Sequence, residues 1–424
     1  MLLSGWAWSL LGLLAAVAVM QIGIALNQVW AIFRREPELD SGNDDCGDPT
    51  SHVMVVLCLR GADPFLADCL TALMNLDYPD YEIRIVVDSA DDPAWRSIAD
   101  SGIENFEGCR IEVLENAPLK CGLKNAALLQ VIEQLDDWVG AIALIDADTI
   151  AHPSWLSELV APLGRGGVEL TTGIRWYLPT RPSLGSCLRL VWNAAASGQM
   201  IAASIPWGGS LAMSRRAVDA LDLEAHWGAG LSEDTMLTRL LRQHGMRQRF
   251  VPSVIMVNQE DCTVSEMMGW IKRQLLVARL YHPSWPLTVV HGFLSALVPL
   301  SCLIASAGFA LTGQWFSAVG LGVSWLMYQL TVWLMVSIGL GLVDHKLAMI
   351  RNEPKRVSQQ LILGLIPAVV IVQLLYPFAL ISAMFAKRVH WRGMEYQIQS
   401  DGSITHQGYR PYTSSEEADR LASL

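Results

Sequence analysis

The chain has 424 residues, 52% of them hydrophobic, a formal net charge of −11 and a mean hydropathy of +0.32. That hydropathy is too high for a purely soluble enzyme, and the acidic balance, with no basic stripe interleaved with aromatics, argues against a nucleic-acid partner. The eight cysteines (Cys46, Cys58, Cys69, Cys109, Cys121, Cys187, Cys262 and Cys302) include no CxxC pair, which suits small buried thiols better than zinc or disulfides.

Residues 1–33 contain no Asp, Glu, Lys or Arg, and Arg34-Arg35 closes the run. A stretch of this length spans a bilayer with some tilt, so residues 1–35 are expected to be a retained membrane helix rather than a signal peptide. The arginines place the following domain in the cytosol by the positive-inside rule. Residues 36–50, acidic with Pro and Gly, read as a linker. From about residue 51 to 260 strand-like and helix-like segments alternate. Strands are expected at His52–Leu59, Glu82–Val87, Arg110–Leu114 and Ala141–Ile145, with helices at Pro64–Asn75, Pro93–Asp100 and Lys124–Leu135. This alternation predicts an α/β domain, a mostly parallel sheet with helices on both faces. No GxGxxG follows the first strand and no GxxxxGK[ST] occurs, so neither a dinucleotide-fold fingerprint nor a P-loop is available.

Two expected strand ends carry clustered carboxylates, Asp88/Asp91/Asp92 and Asp146/Asp148. Ligands of open α/β sheets bind at the carboxyl ends of strands, and paired carboxylates there can hold a hard divalent cation. The bland alternative is a turn in which Asp residues bond their own backbone. Further on, Trp207-Gly208-Gly209-Ser210 offers backbone that a ligand can approach closely. Ser232-Glu233-Asp234 opens an amphipathic helix to about His244, and it reads equally well as a helix N-terminus with Ser as the cap.

The ordered set of motifs resembles the membrane-bound family 2 glycosyltransferases, particularly their ceramide-glucosyltransferase-like branch. Arg60-Gly61-Ala62-Asp63-Pro64, Asp77-Tyr78-Pro79-Asp80-Tyr81-Glu82 and Asp91-Asp92-Pro93-Ala94 look like its opening block. Asp146-Ala147-Asp148 resembles its DxD, Gly209 to Arg216 its glycine–serine segment ending in two arginines, and Glu233-Asp234 its ED pair. Trp391-Arg392-Gly393-Met394-Glu395-Tyr396 looks like the short motif often found after the last membrane segment. One departure stands out. The usual (Q/R)xxRW is replaced by Trp270-Ile271-Lys272-Arg273-Gln274, which keeps the Arg and exchanges the positions of Trp and Gln.

The resemblance implies a GT-A nucleotide-sugar-binding domain joined to α-helical transmembrane segments, and inverting transfer from a UDP-sugar. Asp148, aided by Asp146, would bind Mg²⁺ or Mn²⁺ on the donor diphosphate. Asp88 or Asp91 would hold the nucleoside, Lys124 and Arg273 would add positive charge at the phosphates, and Asp234 would be the general base. Gly209, Ser210, Glu233, Trp270 and Gln274 would lie toward the acceptor. Trp176, Tyr177, Trp192, Trp207 and Trp227 could form a greasy acceptor surface or simply pack the core.

Residues 261–285 read as an interfacial amphipathic helix. Residues 286–343 lack Asp, Glu, Lys and Arg and are expected to make two spans broken near Thr312-Gly313-Gln314. The segment 344–356 is expected to be a polar loop. Residues 357–386 are again apolar, with Pro367 and Pro377, but basic clusters on both sides conflict with a simple span. The segment is expected to be a transmembrane helix or a kinked re-entrant segment, the latter being the favoured reading, followed by a cytosolic tail at 387–424, polar and partly disordered from 397. A catalytic domain tethered at both ends to a bilayer, such as a bacterial inner or plasma membrane, favours a lipid acceptor and transfer of a hexose, glucose by analogy with the branch. The alternatives are a processive polysaccharide synthase and a non-catalytic membrane protein with a degenerate transferase domain.

Overall fold

Apolar runs without helical spacing are buried on both faces when they lie mid-sheet. Four of them form the centre of a seven-stranded sheet in the computed structural model, which describes residues 4–34, 52–351 and 356–412. The expected linker at 36–50 lies outside the described residues. The strands are β1 Val53–Leu59, β2 Tyr81–Val87, β3 Cys109–Val113, β4 Ala141–Ile145, β5 Val168–Tyr177, β6 Ser210–Ser214 and β7 Arg247–Asn258. Their order is β3-β2-β1-β4-β6-β5-β7, and every pairing is parallel except those of β6. Side chains alternate across β1. Val55 packs with Leu66, Leu70 and Trp155 on one face, while Met54 and Val56 pack with Leu128, Val131 and Leu237 on the other. The expected α/β domain with helices on both faces is therefore what forms.

Because β6 alone runs backwards, the carboxyl ends of β1, β2, β4, β5 and β7 and the start of β6 all reach one edge of the sheet. Ile145 at the end of β4 pairs with Ser210 at the start of β6. That edge gathers Arg60, Asp88, Asp146, Arg175, Gly209 and Asn258.

Four helices are long and apolar enough to cross a membrane, Gly5–Phe33, Trp285–Leu311, Trp315–Arg351 and Gln359–Phe385, and they mark a membrane protein. A separate cluster joins them to the domain through helix Leu184–Ala203 and helix Val264–Tyr281, around Trp270, Leu188, Leu340 and Leu365. The second of these helices starts on a capping box made by Thr263 and Glu266.

Three expectations are corrected here. The polar segment expected at 344–356 is helical through Arg351, because Trp315–Arg351 runs on past the apolar stretch. Its charges fasten the helix to the sheet: Lys346 donates to the carbonyls of Ile32 and Pro252, and Arg351 to that of Ile255. Residues 359–385 form one continuous helix that contains both prolines, not a re-entrant hairpin. At its start Asp344 accepts from the backbone N–H of Arg356 and Val357, and at its end Arg279 donates to the carbonyls of Ala383, Met384 and Ala386. Both flanks are thus held beside the catalytic domain while the helix packs along 184–203 and 264–281. Finally, the expected tail contains a three-stranded antiparallel sheet, β8 Arg388–Trp391, β9 Met394–Ile398 and β10 Ile404–His406. Tyr396 and Ile404 bury against Leu123, Leu231 and Leu276, contacts that a short alternating run does not announce.

The seam between domain and membrane helices tolerates no added volume. A Cβ on Gly185 would collide with the backbone of Cys262 and Thr263. Gly185→Ala is expected to destabilise the protein by about 1–3 kcal/mol, the usual cost of overpacking, read as a lowered Tm in detergent.

Candidate active site

The site begins with a buried cation between two carboxylates. Lys124, in helix Leu123–Glu133, places its Nζ 2.6 Å from Asp146 Oδ1 and 2.6 Å from Glu233 Oε1. Burial works against the ammonium, but the two carboxylates raise its pKa well above the usual lysine value. For Asp146, burial is outweighed by Lys124 and Arg175, which hold the carboxyl below its ordinary range. Glu233 goes the other way, raised by burial and by Asp234 and Asp146 against the pull of Lys124. Lys124 is therefore no free phosphate cation. It ties the end of β4 to the Glu233-Asp234 turn.

Gly208 and Gly209 serve the same centre. A Cβ on Gly208 would strike Glu233 Oε1, and one on Gly209 would strike the Trp207 ring and Asp146 Oδ2. The two glycines let the chain's own carboxylates close in, where the sequence suggested room for a ligand. Ser210 is fully buried and its hydroxyl accepts from Trp155 Nε1 at 2.8 Å, so it belongs to the core rather than the acceptor side.

Asp148 sits beyond the turn. Arg175 Nη1 lies 3.2 Å from its Oδ2, which also accepts from Asn258 Nδ2 at 3.1 Å. Its Oδ1 is buried and has no hydrogen-bond partner. Burial pushes the carboxyl up to about 6, with Arg175 opposing and Asp146 adding to the rise. A desolvated carboxylate oxygen without a donor is the kind of atom that accepts a metal ion, so Asp148 fits a cation-ligand role and Asp146, engaged by Lys124, fits it less well.

Asp234 is held tightly. Its Oδ1 accepts from Ser232 Oγ at 2.7 Å, from Thr235 N–H at 2.5 Å and from Thr235 Oγ1 at 2.8 Å, while its Oδ2 accepts from Gly208 N–H at 2.9 Å. The helix expected to start at Ser232 begins only at Leu237, because Ser232 and Thr235 bond this side chain instead of capping a helix.

One cavity of about 420 Å³ collects these groups with Asp88, Lys124, Gly209, Trp270, Arg273 and Gln274. Arg273 has no ion pair or hydrogen bond among the described residues. Its guanidinium lies 5.4 Å from the centroid of the Trp391 ring, and burial, then Arg175 and Arg392, lower its pKa to about 10. Asp91, by contrast, is exposed and outside the cavity. Its neighbour Asp92 caps a turn through the N–H groups of Gly61 and Ala94. Among the aromatic candidates, Trp176, Tyr177, Trp192 and Trp207 line the cavity, whereas Trp227 is wholly buried and donates to the Glu233 carbonyl.

The sequence reading missed Arg175 altogether. Its guanidinium stands 5.2 to 5.8 Å from the rings of Trp207, Tyr177 and Trp270. The only local signal is a lone arginine near the end of a buried strand, directly before Trp176 and Tyr177.

The mostly parallel sheet, with its one reversed strand and its cluster of acidic and basic groups at the carboxyl edge, has the architecture of a GT-A glycosyltransferase, and the sequence comparison agrees. The model of glycosyl transferase family 21 matches residues 10–404, and the chain belongs to that family; the motifs pointed to the ceramide-glucosyltransferase-like branch under family 2, so the family number differs while the GT-A glycosyltransferase class agrees. No protein of curated function matches the sequence significantly. Among solved structures, the chain is similar to a mannosyltransferase from Pyrobaculum calidifontis in complex with GDP-Man and Mn²⁺, at 15% identity over 89% of this chain and 99% of that one, with a TM-score of 0.49. It is also similar to glucosyl-3-phosphoglycerate synthase from Mycobacterium tuberculosis in complex with phosphoglyceric acid, at 18% identity over 53% of this chain and 79% of that one, with a TM-score of 0.35.

Removing the bridging cation leaves two buried carboxylates facing each other. Lys124→Ala is expected to destabilise the fold by about 3–5 kcal/mol, as when one partner of a buried ion pair is deleted, and denaturant unfolding of the purified protein would measure it.

Proposed function

We propose that the protein transfers a hexose, glucose in the first instance, from a UDP-sugar to a hydroxyl of a membrane lipid such as a ceramide or diacylglycerol, with inversion at the anomeric carbon. The observation that carries this reading is the continuity of the cavity. It runs from Asp148, Asp234 and Arg273 to a stretch lined by Ile24, His291, Val336 and Val372, one from each of the four long helices. An acceptor can therefore enter from the bilayer and present its hydroxyl to Asp234 without crossing water. The basic residues Lys346 and Arg351, which fasten the third long helix to the catalytic domain, support a cytosolic placement of that domain by the positive-inside rule.

In this reading Asp148 Oδ1 holds a Mg²⁺ or Mn²⁺ ion, with Asp146 second to it. When bound, the cation stabilises negative charge on the leaving diphosphate. Arg273, unpaired and pressed by like charges, receives the diphosphate and regains a counter-charge. Asp88, whose Oδ1 is buried and unpartnered, accepts a hydrogen bond from the nucleoside. Asp234 takes the proton of the acceptor hydroxyl as its oxygen attacks the anomeric carbon opposite the diphosphate. Three donors fix Oδ1 of that carboxylate, leaving Oδ2 and its single bond to Gly208 as the basic atom. Trp270 and Gln274 line the same cavity and in this reading would contact the acceptor.

Asp234→Asn is expected to lower kcat by roughly 10²–10⁴-fold, the contribution of a general base, with UDP binding retained. Incubation with labelled UDP-glucose and extracted lipids should yield one sugar on an extractable lipid; a polymer would point to a processive synthase instead. A third variant addresses the membrane end. A Cβ on Gly339 meets nothing within 4 Å, although the residue lines the cavity. Gly339→Phe should raise the KM for a lipid acceptor and leave that for the donor unchanged.

The pH dependence follows from Asp148. Its folded value of about 6 lies above the ordinary 3.8, so this group contributes stability below 3.8 that is lost as the pH rises through 6. Cation binding requires the deprotonated form, so Mn²⁺ affinity should weaken as the pH falls below about 6. Electron paramagnetic resonance of Mn²⁺ with the wild type and Asp148→Asn reads this without an activity assay; equal affinity in both would remove Asp148 as a ligand.

A further inference from the structure

The turn between β8 and β9 is a two-residue hairpin, with Trp391 paired to Met394 and both central residues left-handed, Arg392 at φ 47° and Gly393 at φ 75°. Such turns favour Asn and Gly at both positions. An arginine there is costly unless its side chain is needed, and this side chain is fully engaged. Arg392 Nη2 lies 3.0 and 2.8 Å from the two oxygens of Asp63, and its Nη1 donates to the Arg60 carbonyl at 2.8 Å. In return, Arg60 Nε donates to the Arg392 carbonyl at 2.7 Å.

The chain of contacts continues into the cavity. Arg60 Nη1 pairs with Asp88 Oδ2 at 2.5 Å, and the same oxygen accepts from Tyr409 Oη at 3.1 Å and from Tyr412 N–H at 3.2 Å. Arg60 Nη2 also donates to the Arg410 carbonyl at 3.0 Å. Residues more than 300 positions apart thereby clamp the ends of β1 and β2. All the donors fall on Oδ2 of Asp88, so its Oδ1 stays open. Trp391, Arg392, Leu59, Val86 and Asp88 line the same cavity, at the end away from the membrane helices.

We propose that the C-terminal β-unit with the segment from Tyr409 to Tyr412 is the wall of the donor's nucleoside half, and that Arg392 is a donor-positioning residue acting through Asp63 and Arg60. This rests on the reading of the donor as a nucleoside diphosphate sugar. The unit sets the rotamer of Asp88, presents its free oxygen to the nucleoside and supports Trp391 beneath Arg273. The C-terminus, remote in sequence from the GT-A motifs, thus becomes part of donor recognition.

The test uses the full chain in detergent with UDP and Mn²⁺ in a calorimetric titration, together with steady-state kinetics. Arg392→Asn places a residue the turn prefers, so backbone strain falls rather than rises. Arg392→Asn and Asp63→Asn should each weaken UDP binding roughly tenfold, the scale of one charge-assisted hydrogen-bonded pair. The double variant should be no weaker than either single one, with donor KM raised and kcat and acceptor KM unchanged. Tyr409→Phe, which keeps the ring, should show the same split at smaller size and serves if the charge variants do not fold. Unchanged UDP affinity in these variants, whatever their Tm, overturns the proposal while leaving the donor reading intact. A wild type that binds GDP but not UDP corrects the donor, and the same variants then report on GDP. Failure to bind either nucleotide removes both readings.

Discussion

The ammonium of Lys124 stands between Asp146 and Glu233, 2.6 Å from an oxygen of each. These carboxylates arrive from separate parts of the chain, one at the end of a central strand and the other in a turn before a short helix. Brought together without a cation, they would repel each other in a desolvated space. With Lys124 between them, Asp234 next to Glu233 is carried to the Gly208 amide, and Asp148, two residues past Asp146, is carried into the cavity. The positions of the Asp234 carboxylate, the proposed base, and of the open Asp148 oxygen both follow from this one bridge.

Charge is graded across the cavity in a way that suits the anionic leaving group of the proposed reaction. The carboxylates of Asp146, Asp63 and Glu260 have basic partners in Lys124, Arg392 and Arg189. Asp148 is half-satisfied by Arg175, and Arg273 has no ion pair among the described residues. A site that keeps an acceptor oxygen and a guanidinium both underemployed is preorganised for a ligand that supplies the missing charges. Toward the long helices the walls carry no Asp, Glu, Lys or Arg but mix apolar residues such as Ile24, Val336 and Val372 with neutral polar ones such as Gln28, His291 and Gln373. The proposed charged donor and lipid acceptor would meet at the Asp234 carboxylate.

Much of this was legible beforehand because it is local. The strands β1, β2 and β4 appeared as continuous apolar runs, since strands buried on both faces cannot alternate. Asp88, Asp146 and Asp148 were readable as site candidates because carboxylates clustered after such runs fall at strand ends. Other features depend on partners distant in sequence. Asp91 and Asp92 look alike in sequence, yet one is exposed and the other caps a turn, so neither enters the cavity. Ser210 looked like a ligand-facing hydroxyl, but the indole of Trp155 claims it. Residues 359–385 suggested a broken segment because of their prolines, yet they form one continuous helix packed along helices 184–203 and 264–281.

By itself, the sequence determined the alternation of strand and helix, the apolar helices, and the ordered motifs that place the chain among glycosyltransferases, because hydrophobic period and short-range spacing are written along the chain. Only the tertiary structure decided that Lys124 is a bridge rather than a phosphate cation, that Arg175 belongs to the site, and that the apparent tail returns to hold Asp88. Those outcomes are set by which charged groups share a buried space. That pairing is settled by the sheet order and the helix packing, not by any neighbouring residue.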